Sequence, residues 1–274
     1  MPIIVLTKKN LLVALLCAAL IAGGLFLWLR FRERPRSGTA ETMAQVEAYE
    51  LNVLPMQGRE LPVYGVSRGD SSIALTIDAA WDADKTPFIL DTLDKYGLKA
   101  TFFLCGVWVK QYPDFVKEIA RRGHEIGNHS LTHPHMNRMD AIAIQKELKD
   151  LDDMLEELTG RRSTLFRPPF GEYNDTVIKA AREAGYEVIQ WSRDTVDWKK
   201  DRSAQTILDG VLKKLQSGDI ILCHNNGYRI ETYLPVLLET AQQKGFRFVT
   251  VSELLLSGET SIDNNGFQQA KKRP

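Results

Sequence analysis

Between residues 73 and 251 the chain switches between two hydrophobic periods. Short, nearly continuous apolar runs at 73–77, 100–104, 124–127, 165–167, 187–191, 219–223 and 247–251 predict strands. Between them, apolar positions recurring every three or four residues predict helices at 86–96, 113–122, 140–159, 174–184, 204–216 and 231–244. In the longest of these, Ile142, Ile144, Leu148, Leu151, Met154, Leu155 and Leu158 mark a face expected in the core. Strands buried on both sides, alternating with amphipathic helices, imply an α/β fold with a largely parallel sheet. The alternation alone does not separate a barrel from a doubly wound sheet.

Upstream the pattern is different. An apolar run from Leu11 to Leu29 lies between Lys8 and Lys9 on one side and Arg30, Arg32, Arg34 and Arg36 on the other. It is long enough to span a bilayer and longer than a signal-peptide core. Leu25 to Leu29 continue it past Ala22-Gly23-Gly24, the one stretch resembling a cleavage site. Residues 1–36 are therefore expected to form an uncleaved N-terminal transmembrane helix. Basic flanks at both ends leave orientation open by charge, and a large following domain translocates regardless of local charge. The expectation is a single-pass protein of the cell membrane with its folded domain on the extracytoplasmic side. Residues 37–71 read as a polar juxtamembrane linker, 72–256 as the domain, and 257–274 as a disordered polar tail.

Composition narrows the function. The formal net charge of the 274 residues is +0, so no global field recruits nucleic acid. The three cysteines are scattered, which argues against a disulfide framework or a Cys-type zinc site. Cys105 and Cys223, in apolar runs, are expected as buried free thiols. A monomer is expected.

The chemistry-bearing residues stand where strands end. Asp78 follows the first predicted strand, His129 and His133 the third, Arg167 ends the fourth, Asp194 and Asp197 follow the fifth, and His224 the sixth. The carboxyl ends of parallel strands build the active sites of α/β proteins, so these residues are expected on one face. His129 and His133 suit a borderline divalent metal such as zinc. With a carboxylate base at Asp78 and a proton donor at His224, the set has the parts for hydrolysing an acyl bond. Trp81, Trp198 and Tyr228 stand near the same ends and are able to stack on sugar rings.

Order and spacing over about residues 72–256 resemble the polysaccharide deacetylases of the NodB-homology type, carbohydrate esterase family 4. The matching stretches are Leu75-Thr76-Ile77-Asp78-Ala79-Ala80, His129-Ser130-Leu131-Thr132-His133-Pro134, Arg167-Pro168-Pro169-Phe170-Gly171, Asp194-Thr195-Val196-Asp197-Trp198 and Leu222-Cys223-His224. The resemblance implies a deformed, open (β/α) barrel. It implies Asp78 as general base, His129 and His133 as ligands of Zn2+ or a similar ion, and Arg167 as the residue orienting the base. It makes His224 the general acid, oriented by Asp197. Leu222 and Trp198 would line the acetyl pocket, and the backbone around Phe170 would help hold the oxyanion. The implied substrate is an N-acetylated cell-wall polysaccharide such as peptidoglycan or a chitin-like polymer, and a membrane-anchored, sporulation-associated branch is similar. One position departs from the family pattern. Its second motif aspartate, normally a third metal ligand, is Ala79 here, which opens an alternative reading as a catalytically impaired glycan-binding homologue.

Overall fold

The computed structural model describes residues 60–271. The expected membrane segment and residues 37–59 of the expected linker lie outside the described residues. Among the described residues no helix is long and apolar enough to cross a membrane.

The chain runs through β1 (Gly65–Val66), β2 (Ser72–Ala79), α1 (Thr86–Lys95), β3 (Thr101–Leu104), α2 (Gly106–Gln111), α3 (Pro113–Arg121) and β4 (Glu125–Asn128). It continues with α4 (Ala141–Thr159), β5 (Leu165–Phe166), α5 (Asp175–Glu183), β6 (Glu187–Val188), β7 (Arg193–Asp194), α6 (Ala204–Leu212) and β8 (Ile220–His224). Last come α7 (Ile230–Gln243), β9 (Arg247–Val249), α8 (Val251–Leu254), β10 (Thr260–Ile262) and β11 (Phe267–Ala270). The main sheet is parallel, in the order β6-β5-β4-β3-β2-β8-β7, with β9 beside the first half of β2.

That order settles the question of closure. β6 and β7 lie at opposite ends of the sheet, yet only residues 189–192 separate them. Extended chain from residue 188 to 193 covers at most about 18 Å. The two edges therefore approach each other, and the sheet is a curled, open barrel. The expected single strand at 187–191 is β6 followed by most of this crossing.

Alternation sorts the side chains of β2. Ile73, Leu75, Ile77 and Ala79 join the outer core with Ile89 and Leu93 of α1, Ile119 of α3, Leu151 and Leu155 of α4, and Leu234 and Leu238 of α7. Ala74 joins Phe103, Leu165, Ile189, Ile220 and Val249 in an inner core. By the two-residue period, Thr76 and Asp78 continue that inner column toward the carboxyl ends of the strands.

Three expectations are corrected. Residues 60–71 are not linker: the Val63 N–H donates to the Val188 carbonyl at 2.8 Å, the Gln190 N–H to the Val63 carbonyl at 2.7 Å, and the Val66 N–H to the Gly218 carbonyl at 2.9 Å. Both valines are fully buried, so this segment bars the gap between β6 and the base of β8. Residues 257–271 are not a disordered tail, because β10 and β11 form a hairpin and β11 pairs in parallel with β1. The hairpin turns at Asp263–Gly266, where Gly266 takes φ +79°. Its strands are polar because one face is solvated, which hides them in a hydropathy reading. Finally, Ile142 is 81% exposed, while Ile144, Leu148, Leu151 and Leu155 are buried. Ile142 stands about 200° around the helix from Ile144, off the apolar stripe.

Candidate active site

The strand ends place Asp78, His129, His133, Arg167, Asp197 and His224 around one cleft. Asp78 and His224 are register partners across β2 and β8. Arg167 is fully buried, and its guanidinium donates to Asp78 Oδ1 at 2.6 Å, to Thr76 Oγ1 at 2.8 Å and to the Gln190 carbonyl at 3.0 Å. It lies 4.1 Å above the Phe103 ring. Burial pulls its pKa below the ordinary value, opposed by the charge of Asp78. The pair is mutually dependent, since either charge alone in this interior would be uncompensated.

The histidine pair hangs on a shaped loop. Gly127 is required in β4, since a Cβ there would lie 2.4 Å from the Phe103 ring. Buried Asn128 accepts the Ser130 N–H at 2.9 Å and donates to the Leu148 carbonyl, and Ser130 Oγ accepts the His133 N–H at 3.0 Å. Ser130 and His133 both take left-handed backbone angles, φ +64° and +57°. Such strain in non-glycine residues persists only where neighbours over-determine it. Here Asn128 and Ser130 do so.

His129 Nδ1 lies 2.8 Å from the Arg167 carbonyl. A carbonyl only accepts, so Nδ1 carries the proton and Nε2 keeps its lone pair, 3.7 Å from Asp78 Oδ2. Burial lowers the pKa of His129 and, with His129 beside it, that of His133 to about 3. Both rings are therefore neutral, the form that ligates metal. They stand 5.0 Å apart. The His133 Nδ1 is buried and without a hydrogen-bond partner.

The third donor is missing. Ala79 is 1% exposed and sits in the outer core. Asp82 and Asp84 are exposed, and the Asp82 carbonyl is engaged by Trp108 Nε1 and Asn225 Nδ2. Among the described residues no group of three His, Cys, Asp or Glu converges on a point. The donors present fit an ion held by two imidazoles and water, and do not fit a three-donor protein site.

At the end of the neighbouring strand β8, Asp197, fully buried, accepts His224 Nδ1–H at 2.7 Å, the His224 backbone N–H at 3.1 Å and the Tyr233 hydroxyl at 2.5 Å. Burial pushes the His224 pKa down, but the hydrogen bond and charge of Asp197, with Asp78 and Asp194, outweigh it and raise the pKa to about 9. Gly227 makes room: a Cβ there would fall 2.0 Å from Asp197 Oδ2. Leu222 is buried on β8, whereas Trp198 and Phe170 are exposed at the mouth. Asp194 is half-buried, accepts the Val196 N–H, and burial raises its pKa. His135 pairs with Glu172 at 2.8 Å and stacks on Phe170. Cys105 and Cys223 are buried and free, as expected.

The model of the polysaccharide deacetylase family matches residues 65–189. A peptidoglycan-N-acetylglucosamine deacetylase of Bacillus cereus is 38% identical over 195 residues, which is 69% of this chain and 91% of that protein. The chain belongs to the polysaccharide deacetylase family. Among solved structures of the family, a peptidoglycan N-acetylglucosamine deacetylase bound to an N-hydroxybenzamide is 35% identical with a TM-score of 0.67, covering 71% of this chain and 92% of the other. A CE4 family pseudoenzyme from Bacillus anthracis is 33% identical with the same TM-score, covering 73% of this chain and 69% of the other. A mutant of that pseudoenzyme is described as having restored enzymatic activity. Backbone similarity to the deacetylase and to the pseudoenzyme is thus equal, and the distinction rests on individual side chains.

Proposed function

We propose that this chain is a membrane-tethered, monomeric N-deacetylase acting outside the cytoplasm on N-acetylated cell-wall glycan of the peptidoglycan type. The observation that carries the reading is the pair of completed acid–base assemblies, Arg167–Asp78 at 2.6 Å and Asp197–His224 at 2.7 Å, side by side at the ends of the paired strands β2 and β8. Similarity to named peptidoglycan deacetylases supports the substrate class.

Asp78 takes the proton of the attacking water. Arg167 holds Oδ1, leaving Oδ2 toward the histidine pair. Water oxygen adds to the acetyl carbon, the C–N bond breaks, and His224 gives its proton from Nε2 to the departing amine while Nδ1–H stays on Asp197. A pKa near 9 keeps that proton on His224 at neutral pH. Leu222 and Trp198 border the acetyl group, and the backbone around Phe170 faces the oxyanion. His129 and His133 would hold a divalent ion, zinc by donor type, which when bound polarises the carbonyl and acidifies water.

Ala79 favours a second reading, a glycan-binding homologue in which the same cleft no longer turns over. The experiment is acetate release from N-acetylated glycan by the full-length chain, with and without zinc or cobalt, beside an Ala79→Asp variant. Metal-dependent release by the parent chain supports the deacetylase. A silent parent with an active Ala79→Asp variant supports the binding protein.

A further inference from the structure

Among the described residues, the large aromatic side chains left strongly exposed are Trp81, Phe170, Trp198 and Tyr228, at 56%, 45%, 53% and 43%. Each lies on a loop beyond the carboxyl end of a strand. The other exposed large apolar residues, Val107, Ile142 and Val236, are aliphatic and lie on helices. Exposed apolar surface gathered at one place marks a binding surface.

The loops bearing Trp81, Trp198 and Tyr228 are fastened to one another. Asn225 Nδ2 donates to the Asp82 carbonyl at 2.7 Å, Lys85 Nζ to the Gly227 carbonyl at 3.0 Å, and the Tyr228 N–H to the Asp197 carbonyl at 2.6 Å. Asp82, directly after Trp81, takes φ +47°, and its carbonyl also accepts Trp108 Nε1–H at 2.6 Å. A strained residue clamped by two donors thus presents an indole to solvent. The Trp81 ring meets His133 edge-on at 5.8 Å, and Phe170 meets the same imidazole from another side at 4.4 Å.

We propose that Trp81 and Tyr228 form a sugar-stacking wall beside the reacting pocket, which binds further residues of a polymeric N-acetylated glycan and does so without metal. This rests on the glycan reading of the cleft above. A pyranose offers an apolar C–H face and a rim of hydroxyls, which suits a flat, rigid aromatic surface with an open edge. Neither ring belongs to the acid–base assemblies or to the histidine pair.

The test is calorimetric titration of the full-length chain, in chelator, with N-acetylglucosamine and with its β-1,4-linked tetramer. The tetramer is expected to bind at least about tenfold more tightly than the monosaccharide. Trp81→Ala and Tyr228→Ala are each expected to weaken tetramer binding roughly threefold to tenfold and leave the monosaccharide unaffected, with Trp81→Phe restoring most of the loss. Equal affinity for monosaccharide and tetramer, or unchanged tetramer affinity in both alanine variants, overturns the wall. Acetate release in the same samples after adding zinc reports on the deacetylase reading separately. A parent chain that shows the tetramer preference but releases nothing upholds the wall and sinks deacetylation.

Discussion

Asp78 and His224 each sit against a buried partner of opposite charge, whereas among the described residues the His129 and His133 pair has no third protein donor, position 79 being an alanine of the outer core. The two halves of the cleft differ in what folding demands of them. Arg167 and Asp78 are a buried ion pair as well as functional groups, so losing either leaves the other charged and unpaired. A metal-ligating carboxylate at position 79 carries the opposite liability. Until an ion arrives, it is a charge at the edge of the outer core, and alanine removes that cost. Folding alone therefore preserves the acid–base half and is indifferent, or favourable, to loss of the third ligand. Intact acid–base residues are consequently weaker support for turnover than they look, and metal binding decides the matter.

The largest effect is expected at Asp78. Asp78→Asn is expected to lower turnover by about 10²–10⁴-fold with the fold intact, because the amide oxygen still accepts from Arg167. Undiminished acetate release would end the assignment of Asp78 as base. Arg167→Met should cost about 3–5 kcal/mol in urea unfolding, the price of stranding Asp78 in the interior. A loss below about 1 kcal/mol would mean that the pair is not a folding constraint.

Ala79→Asp tests the other half without any assay of activity. In chelator it is expected to unfold about 1–3 kcal/mol more easily, and zinc should restore the loss. Zinc that leaves the variant's melting temperature unmoved would show that position 79 does not complete a metal site. For His224 the sign is set by a folded pKa of about 9, above the ordinary value of 6.5. Its contribution to stability is fully present below about pH 6.5 and is lost as pH rises through 9. Unfolding free energy should fall across that window in the parent chain and stay flat in Asp197→Asn. The smallest effect is expected at Gly227→Ala, which crowds Asp197 and should move the midpoint of that decline to lower pH. An unchanged midpoint would mean that the loop yields without disturbing the carboxylate.

Much of this site was legible because its residues fall one after another at strand ends, and strand ends are marked by where apolar runs stop. Asp78, His129, His133, Arg167, Asp197 and His224 were all found that way. The supporting atoms were not. Asn128, Gln190 and Tyr233 act across 20 to 36 residues of sequence, through a carbonyl or a single side-chain oxygen. No local period announces such contacts. Gly227 matters only because Asp197 lies beside it in space. The barrel itself was ambiguous until the jump from β6 to β7 was seen, since a four-residue crossing reads as the end of one strand. The hairpin at 260–270 was hidden by its polarity.

The segment that bars the gap at Val63 has a meaning for where the working unit begins. The Gln190 N–H rests on the Val63 carbonyl, and the Gln190 carbonyl receives the guanidinium of Arg167. One residue thus couples the segment ahead of β1 to the arginine that holds Asp78. A chain cut at Ser72, where the alternating pattern starts, would keep every motif and lose the brace behind one of them.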